Sequence, residues 1–183
     1  MENTKKMNTR QLTLIGVMTA VTCILGPLSL PIGVIPISFT NLAIYFAVYA
    51  LGRKKGTLSY IVYLFIGLIG LPVFSGFSGG FAKIFGPTGG YLIGFIFMAF
   101  ISGIFIDKFS NKIYMCFFGM ILGTIVTYIF GTAWLAYQAK ITFNMALVVG
   151  VLPFIPGDMV KIIVASLIGP QIKKRLIIAG LYE

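Results

Sequence analysis

Asp158 and Lys161 stand three residues apart at the head of an apolar run, in a chain with only four acidic side chains. A bare charge at the centre of a bilayer costs roughly 2.5–3.5 kcal/mol on insertion scales, so the pair needs a reason. Spacing of i,i+3 brings both side chains to one side of a helix. Two readings stand open. In the structural one, Asp158 follows Pro156-Gly157 and caps the helix by accepting from backbone amides. Lys161 then snorkels outward, or the two charges neutralise each other. In the functional one, Lys161 and the positive end of the helix attract an anion such as a carboxylate. Asp158 accepts hydrogen bonds from N–H donors. The implied ligand is small, with a carboxylate at one end and amide-like donors at the other.

A second set of candidates lies in the segment from Leu71 to Phe81. Its glycines permit backbone conformations closed to other residues. Phe74 and Phe77 suit an apolar ligand body, and Ser75 and Ser78 can hydrogen-bond. Together with Gly76 they make a candidate lid, the alternative being a hydrophobic plug that packs the bundle. Gly86-Pro87-Thr88-Gly89-Gly90 reads as a tight structural entry to a helix, with Tyr91 a candidate pocket wall. Ser38, Thr40, Trp134 and Gln138 complete the ligand-binding candidates. Gly16 and Ala20, four apart, let another helix approach closely, either inside the bundle or from a partner.

Several chemistries are excluded. Histidine is absent, and Cys23 and Cys116 have no CxxC neighbour, so neither a zinc site nor a Cys/His nucleophile is available. There is no G-x-x-x-x-G-K-[ST] phosphate cradle. One acid beside the candidate site leaves little for acid–base catalysis. The expectation is a protein that is not an enzyme and has no cofactor or metal.

The elements that must position these residues are membrane helices. Of 183 residues, 58% are hydrophobic and 10% charged, and the mean hydropathy is +1.02. A soluble domain has about 25% charged residues. The chain reads as one transmembrane domain, residues 1–183, all-α, with six spans: about 9–25, 38–51, 57–71, 91–106, 113–130 and one from about 158 to 169, or on into Lys173-Lys174-Arg175. Lys5, Lys6 and Arg10 before the first span resemble a signal peptide, but no convincing cleavage site follows, and the segment reads as a retained helix. The net charge of +10 is spread in clusters between apolar runs, a pattern that orients membrane helices and speaks against nucleic acid. With six spans, eleven of the fourteen lysines and arginines fall on one side. The positive-inside rule then makes both termini cytoplasmic. Glu2, Asp107 and Glu183 fall at the inner face or a terminus, and Asp158 alone lies outward.

Four stretches carry a family resemblance: Ile35-Pro36-Ile37-Ser38, Gly70-Leu71-Pro72-Val73-Phe74, Gly86-Pro87-Thr88-Gly89-Gly90-Tyr91-Leu92-Ile93-Gly94-Phe95, and Pro153-Phe154-Ile155-Pro156-Gly157-Asp158 with Lys161. Over nearly its whole length the chain resembles the BioY family, the membrane-embedded substrate-binding (S) components of energy-coupling-factor (ECF) transporters for biotin. The resemblance implies a six-helix bundle in the cell membrane that takes biotin from outside, with Asp158 and Lys161 at the ligand and Phe74 to Phe81 as an extracellular lid between helices three and four. It implies two kinds of partner, a transmembrane coupling protein (EcfT-type) meeting Gly16 and Ala20, and a pair of cytoplasmic ATPases. Thr40 replaces an amide common in the family, and Gly76 a polar residue found in some members. An S component for another vitamin, a stand-alone channel or secondary transporter for a small carboxylate, and an intramembrane enzyme are the competing readings.

Overall fold

The computed structural model describes residues 8–30 and 35–182. Expectations about Glu2, Lys5, Lys6 and Glu183 lie outside the described residues. Seven helices and one short hairpin make up the fold: α1 (Thr9–Leu25), β1 (Ser29–Leu30), β2 (Ile37–Ser38), α2 (Thr40–Leu68), α3 (Phe81–Ile84), α4 (Gly89–Lys108), α5 (Ile113–Ala139), α6 (Phe143–Gly150) and α7 (Ile155–Ile178). The strands pair antiparallel, Ser29 opposite Ser38.

The second and third expected helices form one element, α2, broken at Gly52, where φ is 74° and ψ 178°. Side chains rarely tolerate that region, and glycine adopts it freely. The chain reverses there: Gly56 packs on Val48, eight residues back, whereas eight residues of straight helix span about 12 Å. Neighbours give the directions. Tyr45 meets Thr124, Tyr49 covers Gly169, and Gly52 lies beside Asp107. Arg53 then lies on Gly103, and Tyr60 reaches Leu92. The two halves of α2 therefore run antiparallel. Arg53-Lys54-Lys55, expected as a turn, begins the second half in helical conformation.

Among the described residues, three helices are long and apolar enough to cross a membrane: α4, α5 and α7. A fourth, α1, is apolar and shorter. The core lies between α2, α4, α5 and α7 and is filled by Tyr45, Tyr49, Tyr60, Tyr63, Met98 and Met120, all essentially inaccessible. Each of these tyrosines must carry a hydroxyl into an apolar interior, and three find a partner: Tyr45 at Thr124 (2.7 Å), Tyr60 at the Leu92 carbonyl (2.9 Å) and Tyr63 at the Val73 carbonyl (2.8 Å).

The two ends of the bundle differ in charge. At one end, Arg10 donates to the Gly180 carbonyl (2.9 Å), Lys173 donates to the Ile106 carbonyl (3.2 Å), and Asp107 accepts from the Arg53 amide (2.9 Å). The starts of α1 and the end of α7 meet here. Asp158 lies fifteen residues before Lys173 in α7, about 22 Å away along the axis. Expected boundaries shift in two other places. The fifth helix runs on to Ala139 and takes in Trp134 and Gln138, which were expected in a connection. The last helix begins at Ile155 and passes through Pro170 to Ile178.

Candidate ligand-binding site

Asp158 is the fourth residue of α7, not its cap, and its carboxylate makes no recorded bond to a backbone amide. It turns inward and is 7% exposed. Oδ1 accepts from Lys161 Nζ at 2.9 Å and from Asn41 Nδ2 at 2.8 Å. Oδ2 accepts from the Tyr128 hydroxyl at 2.6 Å. The helix-cap role expected for Asp158 is thus replaced by bonds to side chains of α2, α5 and α7. Lys161 does not snorkel. It is also 7% exposed, and Nζ donates to the Ser38 carbonyl at 2.7 Å, with the Phe39 ring 5.9 Å away. The pair is an ion pair buried on both sides. A buried charge keeps its form only when paired and hydrogen-bonded, and both conditions are met here.

A narrow cavity of about 60 Å³ opens beside this pair. Ile35, Pro36 and Ser75 are among its lining residues. Its apolar wall comes from Leu92, Phe95 and Phe154. Its polar groups are Asp158, Lys161, Asn41, Tyr128 and the hydroxyls of Ser38, Thr40, Thr88, Thr124 and Thr127. An apolar wall with a few convergent polar groups is the usual make-up of a small-molecule site.

Six of the expected ligand-binding residues meet at this cavity: Asp158, Lys161, Ser38, Thr40, Ser75 and Tyr91. Tyr91 also donates to the Gly150 carbonyl (2.8 Å), which fastens α6 over the mouth of α4. The other six serve the surroundings. Phe74 is fully buried against Gly67 and Tyr63. Gly76 and Phe77 occupy the positive-φ tip of a turn closed by the Phe74–Ser78 bridge, and Ser78 donates to the Ser75 carbonyl. Phe77 is exposed. Trp134 donates to the Gly86 carbonyl (2.9 Å) and Gln138 to the Phe85 carbonyl. Those two bonds tie the end of α5 to the segment entering α4, so Gly86 to Gly90 has the structural role expected of it.

Asn41, Tyr128, Thr124 and Thr127 escaped the sequence reading. Each is an uncharged polar residue in an apolar helix, without a recognisable motif around it. Asn41 carried one signal: it follows Thr40, where an amide was expected and missing. Its own amide reaches the cavity one residue later.

Gly16 and Ala20 lie far from this cavity. Both are exposed on α1, and nothing stands within 4 Å of where a Gly16 side chain would begin. They line an apolar groove with Cys23, Ile24, Val62 and Ile66, between α1 and the second half of α2.

The sequence model of the BioY family matches residues 1–177. The chain belongs to the BioY family. Among BioY relatives, the biotin transporter BioY of Lactococcus lactis is 38% identical over 183 residues, covering 96% of this chain and 95% of its own. The biotin transporter BioY of Thermotoga maritima is 36% identical over 165 residues, covering 90% and 96%. The probable biotin transporter BioY of Pyrococcus horikoshii is 36% identical over 167 residues, covering 91% and 98%. Among solved structures, the S component for biotin from an ECF-type ABC transporter superposes with a TM-score of 0.84 at 37% identity, over 95% of both chains. The membership is in a family of transporters and not of enzymes.

Proposed function

We propose that the chain is a membrane-embedded, biotin-binding S component that serves biotin uptake, and that the cavity at Asp158 and Lys161 is its ligand site. The observation that carries this is the buried Asp158–Lys161 pair facing a half-apolar cavity, in a chain that matches the BioY family model over residues 1–177. Biotin has a cyclic urea with N–H donors, an apolar ring and a carboxylate tail. Asp158 supplies an acceptor to the urea. Leu92, Phe95 and Phe154 cover the apolar ring. The pair is neutral as a unit, which favours a neutral, hydrogen-bonding head group at it over the charged tail.

In this reading the chain crosses the cell membrane six times, through α1, the two halves of α2, α4, α5 and α7. The antiparallel halves of α2 support that count. The basic end, with Arg10, Arg53 to Lys55 and Lys173 to Arg175, faces the cytoplasm by the positive-inside rule. Asp158 and the segment between the second half of α2 and α4 face outward, and Phe74 to Phe81 form the lid, anchored by the buried Phe74 ring. A transmembrane coupling protein of the EcfT type docks along α1 at Gly16 and Ala20, and a pair of ATPases drives transport. Exposure of both residues on α1 supports that docking.

Equilibrium titration of the purified protein tests the ligand. Biotin saturates one site per chain, and riboflavin or thiamine does not compete. Competition by another vitamin, or no binding of biotin, contradicts the reading. A stand-alone transporter is excluded separately by vesicles with an ion gradient and no ATPase, in which this chain alone moves no biotin.

A further inference from the structure

Asp158 is held by more than its lysine. A carboxylate has about four lone-pair positions, two on each oxygen. Oδ1 has two donors, Asn41 Nδ2 and Lys161 Nζ, and Oδ2 has one, the Tyr128 hydroxyl. One position is left, on Oδ2. The two neutral donors come from different helices, α2 and α5, and both residues line the cavity. Asn41 is buried, and its own Oδ1 accepts from the Leu42 amide at 3.1 Å, which sets the amide so that Nδ2 points to Asp158. Lys161 does not need Asn41 or Tyr128, because Ser38 and Asp158 already hold it.

We propose that Asn41 and Tyr128 are positioning residues for ligand recognition: they clamp the Asp158 carboxylate from two sides so that it presents a single acceptor to the ligand. The proposal deepens the biotin reading and rests on it. With the clamp in place, Asp158 takes one N–H of the cyclic urea in a defined direction. The second N–H goes to another acceptor. Thr127 is suited to that, since its hydroxyl hydrogen is committed to the Gly123 carbonyl (3.1 Å) and the oxygen offers lone pairs at the cavity wall. Without the clamp, the carboxylate turns toward Lys161 and its acceptor loses direction. Affinity falls, and so does the ability to tell a donor from a blocked donor.

The test uses the full-length protein in detergent with two probes, biotin and biotin methylated on one urea nitrogen, each methyl isomer in turn. Asn41→Ala and Tyr128→Phe weaken biotin binding by about ten- to 150-fold, the scale of losing one hydrogen bond to a charged group. In both variants the penalty for the more strongly rejected methyl isomer, relative to biotin, shrinks at least threefold. A purely structural loosening weakens both probes by the same factor, and that result overturns the proposal. So does a Tyr128→Phe protein that binds biotin within twofold of wild type. Tyr128→Phe removes one oxygen and keeps the ring, so it decides the matter alone if Asn41→Ala does not fold. Failure of the wild-type protein to bind biotin takes down the biotin reading and the clamp with it. Wild-type binding with indifferent variants takes down the clamp alone.

Discussion

At the scale of single residues, the chemistry rests on a buried charged pair at the wall of a cavity. Breaking a buried ion pair by removing one member is costly, about 3–5 kcal/mol, because the other charge is left uncompensated. Lys161→Ala leaves Asp158 with two neutral donors, and Asp158→Asn leaves Lys161 with neutral acceptors only and no countercharge. Each substitution weakens biotin by at least a hundredfold, or about 2.8 kcal/mol, in a calorimetric titration. Normal affinity in both variants means that the pair serves the bundle and not the ligand. This site was half legible from sequence. Charge in an apolar run made Asp158 and Lys161 conspicuous, because it has an energetic cost that can be read without coordinates. Asn41 and Tyr128 carry no charge and interrupt no pattern. Only the meeting of α2 and α5 at α7 gives them a role.

At the scale of elements, glycine positions decide how the chain turns and what closes over the cavity. Gly52 reverses α2, and its backbone conformation is essentially reserved for glycine. Gly52→Ala adds strain of about 1–3 kcal/mol, visible as a lower midpoint of thermal unfolding in detergent. An unchanged midpoint means that the reversal is held by something other than that residue. The loop over residues 71–80 is seated by one ring: Phe74 lies directly on Gly67, leaving no room for a side chain there. Gly67→Val evicts the ring, exposes residues 71–80 to limited proteolysis and speeds biotin release about tenfold, an effect of about 1.4 kcal/mol. Equal protease resistance in the variant shows that the loop is held elsewhere, for instance by the Gly80 amide on the Gly67 carbonyl (2.7 Å). Two short helices, α3 and α6, were missed, since their residues read as a loop and a connection, but the long helices were readable, because long apolar runs bounded by basic clusters leave few alternatives. Ends were less so. The basic triplet at 53–55 looked like a loop by composition, yet it opens a helix whose first amide is bonded by Asp107. Trp134 and Gln138 looked like connection residues, and they extend α5 by holding the turn at Phe85 and Gly86.

At the scale of the whole molecule, one end of the bundle is basic and the other holds the cavity. That polarity was foreseen from the spacing of lysines and arginines, and the contacts of Arg10, Asp107 and Lys173 gather the charges at one end. In a background with Cys23 and Cys116 replaced, single cysteines at Lys112 and Lys174 react only with reagents inside the cell, and one at Lys140 reacts from outside. Labelling of Lys112 and Lys140 from the same face removes the six-span topology. The claim beneath all of these is that the cavity is a biotin site. Mass spectrometry of small molecules released when the purified protein is denatured tests it most directly: biotin, close to one per chain after growth in its presence and sharply reduced with Asp158→Asn, is the expected result, and riboflavin, thiamine or no small molecule in its place contradicts it.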